Sequence, residues 1–328
     1  MRAFTYAAPT DLSSALTRLA EPGTHSVMGG GTDLVNSMKS YIETPADVVD
    51  LQGVQELQTL ETSGDPVRIG VGLKLVDLLA SQPLMKLFPI LNDAASVVAT
   101  PQLRNVGTVG GNLCQRPRCW YFRSVDFNCL RKGGTECYAI LGENRFNAIL
   151  GGLGCFMVHP SDLAPALIAL NAQAVIGSAS ATRSIPLESF FIGPDVDVHR
   201  ENVLVPGEMI VRVDVPRPAS GQRGVYLKSR GRQTWDFATT AAAVSLVMSG
   251  STCTSARVVL GGVAPKPWRS PDAEAALQGK SITPAVAAQA AAAAVKLARP
   301  MQYNAYKIDQ VQALIQRAVL QAAGQEVS

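Results

Sequence analysis

The chain has little of several things that define function classes. Only three histidines and six cysteines occur in 328 residues, aromatic residues make up 6%, and charged residues only 17%. The formal net charge is +3 and no run of lysine or arginine stands out, so a nucleic-acid surface has little support. There is no stretch of about eighteen apolar residues, and so no expected membrane span. Ala285–Ala298 comes nearest, but Gln289 and Lys296 interrupt it and it reads as a water-soluble helix. The opening Met1-Arg2-Ala3-Phe4-Thr5-Tyr6 has neither an apolar core nor a cleavage-type end, and does not read as an export signal. No CxxC pair, GxGxxG fingerprint or ferredoxin-type cysteine run is present. Ordinary zinc sites, Rossmann dehydrogenases and ferredoxin domains therefore lack their signatures. No Ser/His/Asp or Cys/His arrangement and no paired-carboxylate pattern points to hydrolysis. His25, His159 and His199 are isolated, Glu136 and Glu143 read as solvated, and Cys253 reads as a small buried hydrophobe.

What is present is concentrated. Five of the six cysteines, Cys114, Cys119, Cys129, Cys137 and Cys155, fall in one irregular stretch that also holds Pro117, Gly133, Gly134 and Gly142. A loop this long inside a compact chain is functional or disordered, and clustered thiolates favour function: ligands on one centre can order a loop that has no core. Widely spaced cysteines can converge on one [4Fe–4S] cluster. Cys114 is a fifth candidate, which leaves the fourth ligand open.

Two glycine segments precede this loop. Ser26-Val27-Met28 reads as a strand running into Gly29-Gly30-Gly31-Thr32-Asp33-Leu34, a turn and the start of a helix. Backbone N–H groups there suit a diphosphate, and Thr32 adds a hydroxyl donor; an ordinary tight turn is the competing reading. Thr100–Asn112 is expected to be a second glycine-rich loop. Strands are expected at 3–6, 47–51, 67–72, 174–178, 182–185 and 209–215, and helices at 12–19, 75–80 and 164–170. Residues 186–191 read as turn and loop. A linker at 216–222 separates off a unit with strands at 224–230, 241–248 and 256–262, followed by helices at 273–277, 284–298 and 303–323. Lys228 on the first of those strands could reach a cofactor anion or simply face solvent.

The segments Met28–Leu34, Asn105–Asn112, His159–Leu167, Lys228–Ala238 and Leu260–Arg269, in that order, resemble the FAD-binding subunit of xanthine-dehydrogenase-family molybdenum hydroxylases over essentially the whole chain. The resemblance implies an α+β fold of the vanillyl-alcohol-oxidase/PCMH type in two subdomains, residues 1–216. A smaller α/β C-terminal domain of the CO dehydrogenase flavoprotein type is implied over 223–328. Ordinary members lack the cysteine loop. It is similar to the insertion, here about 113–155, that carries a [4Fe–4S] cluster in 4-hydroxybenzoyl-CoA reductase and periplasmic aldehyde oxidoreductases, and Arg116–Phe122 resembles the aldehyde oxidoreductase type. By that resemblance Cys119, Cys129, Cys137 and Cys155 are the cluster ligands. Val27, Met28, Gly29, Gly30, Gly31, Thr32, Asp33 and Leu34, with Thr108, Gly110, Gly111 and Asn112, wrap the FAD diphosphate and ribityl chain. Asp162, Ile210 and Lys228 match flavin-contacting positions.

The function implied is electron transfer: FAD and a [4Fe–4S] cluster receiving electrons from a small [2Fe–2S] subunit, beside a large molybdenum-cofactor subunit in a heterotrimer, and passing them to an external acceptor. No catalytic residue of substrate oxidation is expected here. The alternative is a zinc- or cluster-stabilised scaffold without a redox role. The cytoplasm is the default compartment, with co-export beside a signal-bearing partner to the periplasm as the other.

Overall fold

The computed structural model describes residues 1–233 and 235–325. Thr234, inside the Lys228–Ala238 segment, and residues 326–328 of the expected C-terminal unit lie outside the described residues.

Three sheets organise the described residues. The first is parallel, with β1 (Thr5–Ala7), β2 (His25–Met28) and β3 (Asp47–Asp50) in the order β1-β3-β2. Parallel strands need crossovers: the helix Leu12–Ala20 lies between β1 and β2, which flank β3, and the segment with the helix Leu34–Lys39 joins the neighbours β2 and β3. Asp11 caps the first of these helices by accepting from the Ser14 amide at 2.8 Å, and Ala15, Leu16 and Leu19 form its buried face. The second sheet is antiparallel: β4 (Leu60–Glu61), β5 (Val67–Gly70), β6 (Gln173–Gly177), β7 (Thr182–Pro186) and β8 (Met209–Val215), in the order β4-β5-β8-β6-β7. The whole cysteine stretch thus enters between β5 and β6. The third, antiparallel sheet joins β9 (Gln222–Ser229), β10 (Thr240–Ser249), β11 (Thr252–Gly261) and β12 (Trp268–Arg269), and helices Pro271–Leu277, Pro284–Ala294 and Tyr306–Ala322 follow it.

β10 shows how the units share their interior. Side chains alternate across a strand. Ala241 and Ala243 pack into the core of the first two sheets, while Ala242, Val244 and Leu246 pack into a second core under the C-terminal helices. Ile149 and Leu150, at the end of the cysteine stretch, belong to that second core.

Most expected elements are present, and β8 spans 209–215 as read. Several ends shift, the expected helix 284–298 stopping at Ala294 and the expected helix 303–323 beginning at Tyr306, and three further places differ. Residues 101–113 hold two short helices, Pro101–Arg104 and Val109–Leu113, where a loop was expected, because Thr100 and Thr108 cap them through their hydroxyls. Residues Leu187–Phe190 are one helical turn with Leu187 and Phe190 buried, where a loop was expected. The first strand begins two residues later than read, at Thr5, where its ladder with Asp47 starts. No helix among the described residues is long and apolar enough to cross a membrane.

Candidate cofactor sites

A cleft of about 620 Å³ opens where the two glycine segments meet, a size suited to a cofactor. β2 carries the chain into Gly29–Thr32, and the helix Leu34–Lys39 leads it out. The second segment is strapped to residues 71–75: the amides of Val109 and Gly110 donate to the carbonyls of Leu73 and Val71 at 2.9 and 2.8 Å. Those bonds hold a glycine-rich helical turn that propensity alone disfavours. The two segments touch backbone to backbone. A Cβ on Gly30 would lie 2.0 Å from the Val106 carbonyl oxygen, and Gly31 sits at φ +69°. Only glycine fits the first position, and the second is strained for any other residue.

Of the residues implied as flavin contacts, Val27 through Leu34, Thr108, Gly111, Asn112, Asp162 and Lys228 all line this cleft. Gly110 and Ile210 do not. A Cβ on Gly110 would lie 2.8 Å from Val71 Cβ, and the Ile210 side chain is buried in the core on β8. Lys228 does not face solvent, one of the two readings of its strand: its side chain is 2% exposed. Its Nζ donates to Asp162 at 2.7 Å and to the Val97 carbonyl at 3.1 Å, while the Tyr226 hydroxyl donates to Asp162 at 2.6 Å. Burial beside Asp162 holds the Tyr226 phenol well above its ordinary range. His159 makes no ion pair, and burial drops its imidazole to about 3, so it stays neutral in the interior.

The arginines of the cysteine stretch were not anticipated at this site. Asp33, just after the first glycine turn, pairs with Arg123 at 2.7 Å and Arg118 at 2.9 Å, and accepts from the Arg116 amide at 2.7 Å. All three arginines line the cleft. Arg118 also lies 4.9 Å from the ring centroid of Phe237, in the C-terminal unit, and burial pulls its guanidinium down to about 10. Their partners are 70 to 90 positions away, so spacing could not reveal them. Three arginines within eight residues of a lightly charged chain were the available signal.

Cys119, Cys129, Cys137 and Cys155 line a second, much smaller cavity together with Tyr121, Phe122, Leu130, Arg131, Tyr138 and Met157. Cys114 stands apart from them and lines the large cleft, where burial and the nearby Glu201 push its thiol up to about 12. The space left between the four thiols is small, about 10 Å³. Among the described residues, no group of three or more His, Cys, Asp or Glu is set to hold a metal ion. Around the cavity Tyr121, Phe127 and Tyr138 pack ring to ring at 5.0 to 6.0 Å. Burial raises the Cys119 and Cys137 thiols, against backbone N–H groups of Phe122 and Tyr121 at the first and of Phe156 and Ala139 at the second. Amides aimed at sulfur favour thiolate.

A two-subdomain unit built around a double-glycine cleft, with an antiparallel C-terminal sheet closing one wall, defines a flavin-binding class of protein. Residues 2–218 match the family described as "FAD binding domain in molybdopterin dehydrogenase", and residues 225–322 match the "CO dehydrogenase flavoprotein C-terminal domain". The chain belongs to this family of FAD-binding medium subunits of molybdenum hydroxylase-type enzymes. It is 38% identical to the aldehyde oxidoreductase FAD-binding subunit PaoB of Escherichia coli K12, over 84% of this chain and 86% of that one. It is 28% identical to the carbon monoxide dehydrogenase medium chain of Hydrogenophaga pseudoflava, over 91% of this chain and 88% of that one. The solved carbon monoxide dehydrogenase of H. pseudoflava that lacks the Mo-pyranopterin moiety superposes with a TM-score of 0.78 over 98% of both chains.

Proposed function

We propose that this chain is the FAD- and [4Fe–4S]-carrying electron-transfer subunit of a molybdenum hydroxylase complex of the aldehyde oxidoreductase type. Within it, we assign residues 1–216 to FAD binding, about 113–155 to the cluster insertion, and 223–328 to the C-terminal unit. The partners are a large molybdenum-cofactor subunit and a small [2Fe–2S] subunit, with an external acceptor taking the electrons. The observation that carries the reading is the co-location of two donor sets. Both glycine segments converge on one cleft, and four thiols from a 37-residue span line one cavity beside it.

The cleft suits FAD, and at the cavity it is the donor type, four cysteines, and not a converged ligand geometry that supports the cluster. Backbone at Gly29–Gly31 and Gly111 has no side chain to keep a diphosphate away, and the Asp33-bound arginines offset its negative charge. Asp162 and Tyr226 fix Lys228 on the cleft wall, so its charge is largely matched and its work is to shape the wall. Four cysteines are the donor set of a [4Fe–4S] cluster. Arg131 lines their cavity, its buried Nε has no partner within the chain, and its cation suits a negatively charged centre. The thiols line a shared space without converging on a point, and a cluster would widen that space by moving the side chains around it. A flavin accepts electrons singly and releases them singly or in pairs, which suits a subunit between one-electron centres and an acceptor.

The test is the absorption spectrum of the complex purified without oxygen, with flavin, iron, sulfide and zinc quantified. One FAD with about four irons and four sulfides per chain is expected. Stoichiometric zinc without flavin would instead establish the scaffold.

A further inference from the structure

One buried chain of charge joins the two sites. Arg131 lines the four-cysteine cavity with its side chain 1% exposed, and its Nη1 donates to Glu201 Oε1 at 2.9 Å. The other Glu201 oxygen lies 2.9 Å from Arg116 Nε, and Arg116 lines the flavin cleft and pairs with Glu43 at 3.0 Å. One carboxylate thus holds two guanidiniums, one at each site. Burying these groups costs desolvation that ion pairing only partly returns. Buried Nε–H groups without a hydrogen-bond acceptor, on Arg131 and equally on Arg116, whose Nε meets Glu201 as a charge contact only, add to that cost.

We propose that Arg131 sets the reduction potential of the four-cysteine centre, with Glu201 as the positioning residue that holds it there and links that charge through Arg116 to the flavin cleft. This rests on the cluster reading above. An electron added to the centre makes it more negative, and a cation in a low-dielectric interior favours that addition. The Arg131 charge therefore raises the midpoint potential and the Glu201 charge lowers it. Arg116 stays paired through Glu43 when Glu201 is neutralised.

The experiment is spectroelectrochemistry of the whole complex under anaerobic conditions, following cluster and flavin signals after iron and flavin are quantified. Arg131→Gln should lower the cluster midpoint, with at least a tenfold change in the reduced-to-oxidised ratio at fixed potential, about 59 mV for one electron. Glu201→Gln should raise it. Arg131→Lys, which keeps the charge and loses Nε–H, should fall between wild type and Arg131→Gln. A merely structural role would not give opposite signs. If Arg131→Gln sheds its iron, the upward shift in Glu201→Gln still decides. Shifts of the same sign, shifts under twofold with cluster content intact, or iron loss in both variants would overturn the proposal. A wild-type complex without iron would overturn the reading beneath it, and the iron assay shows that before any potential is measured.

Discussion

The glycine cleft and the cysteine cavity lie in the same chain but are held in opposite ways. The cleft stands on regular structure: a parallel strand, two capped turns and a core that supports both glycine segments. The cysteine stretch has only one helical turn, Trp120–Arg123, and one 3-10 turn, Leu130–Lys132, of its own. Its order comes from borrowed contacts. Arginines tie its start to Asp33, aromatic rings pack its middle, and its end is sewn to the C-terminal unit. There Asn304 Nδ2 donates to the Asn147 carbonyl at 3.1 Å, and Lys307 Nζ donates to the carbonyls of Phe146, Asn147 and Gly262 at 2.9, 3.0 and 2.8 Å. A site on regular elements should survive loss of its ligand. A site of borrowed contacts should not survive loss of its lenders.

The largest effect should come from breaking the cleft where its backbones touch. Gly30→Val places side-chain atoms where the Val106 carbonyl oxygen stands. We expect loss of bound flavin and at least about 3 kcal/mol of stability, on the scale of severe overpacking. Retention of stoichiometric flavin would show that the two segments can part without harm. Next is Lys228→Ala, which leaves Asp162 buried without its cation. About 3–5 kcal/mol of destabilisation follows from removing one partner of a buried pair, read by denaturant unfolding of the flavin-depleted protein. Lys228→Met should cost a similar amount, because it too leaves the carboxylate unpaired.

The sequence made the first site legible and the second only half so. Strand, glycine turn and helix follow each other locally, so Val27–Leu34 could be read as one device. That the cysteines belonged together was also visible, since five fell in one stretch. What joins them was not. Asp33 meets Arg123 across 90 positions, Glu201 meets Arg131 across 70, and Lys228 meets Asp162 across 66. Charged pairs at such separations carry no periodicity, and so Lys228 could be read equally as a surface lysine. The short helix Val109–Leu113 was hidden for a related reason. Glycines argue against a helix, and the Thr108 hydroxyl and the carbonyls of Val71 and Leu73 overrule them.

A smaller effect should expose the stitching of the cysteine stretch. Burial draws the Lys307 ammonium down to about 7 from 10.5, while its three carbonyl partners act the other way by favouring charge. In the unfolded chain the lysine keeps its ordinary pKa, so between about pH 7 and pH 10.5 the unfolded state binds more protons. Stability attributable to Lys307 therefore rises with pH across that window and is lowest below it, with a limiting slope of about 1.4 kcal/mol per pH unit. Comparing unfolding of wild type and Lys307→Met from pH 6.5 to 9 checks this, since the variant should lack that part of the slope. Parallel pH profiles would show that the carbonyls keep the ammonium charged throughout.

The smallest effect should come from the cysteine at the border. Cys114 lies five residues from Cys119, yet it lines the glycine cleft while the other four line the cavity. Its thiol, pushed up to about 12, stays protonated at neutral pH and behaves as a small apolar group against the core. On the proposed cluster, Cys114→Ala should leave iron content unchanged and weaken flavin retention no more than severalfold, whereas Cys155→Ser should lower iron content sharply. Iron assays and flavin release rates on the two variants decide it. Iron loss in Cys114→Ala with iron kept in Cys155→Ser would mean that the stretch rearranges on binding its metal and that Cys114, not Cys155, is the fourth ligand. The separation between an autonomous cleft and a dependent cavity would then fail at the one residue where the two meet.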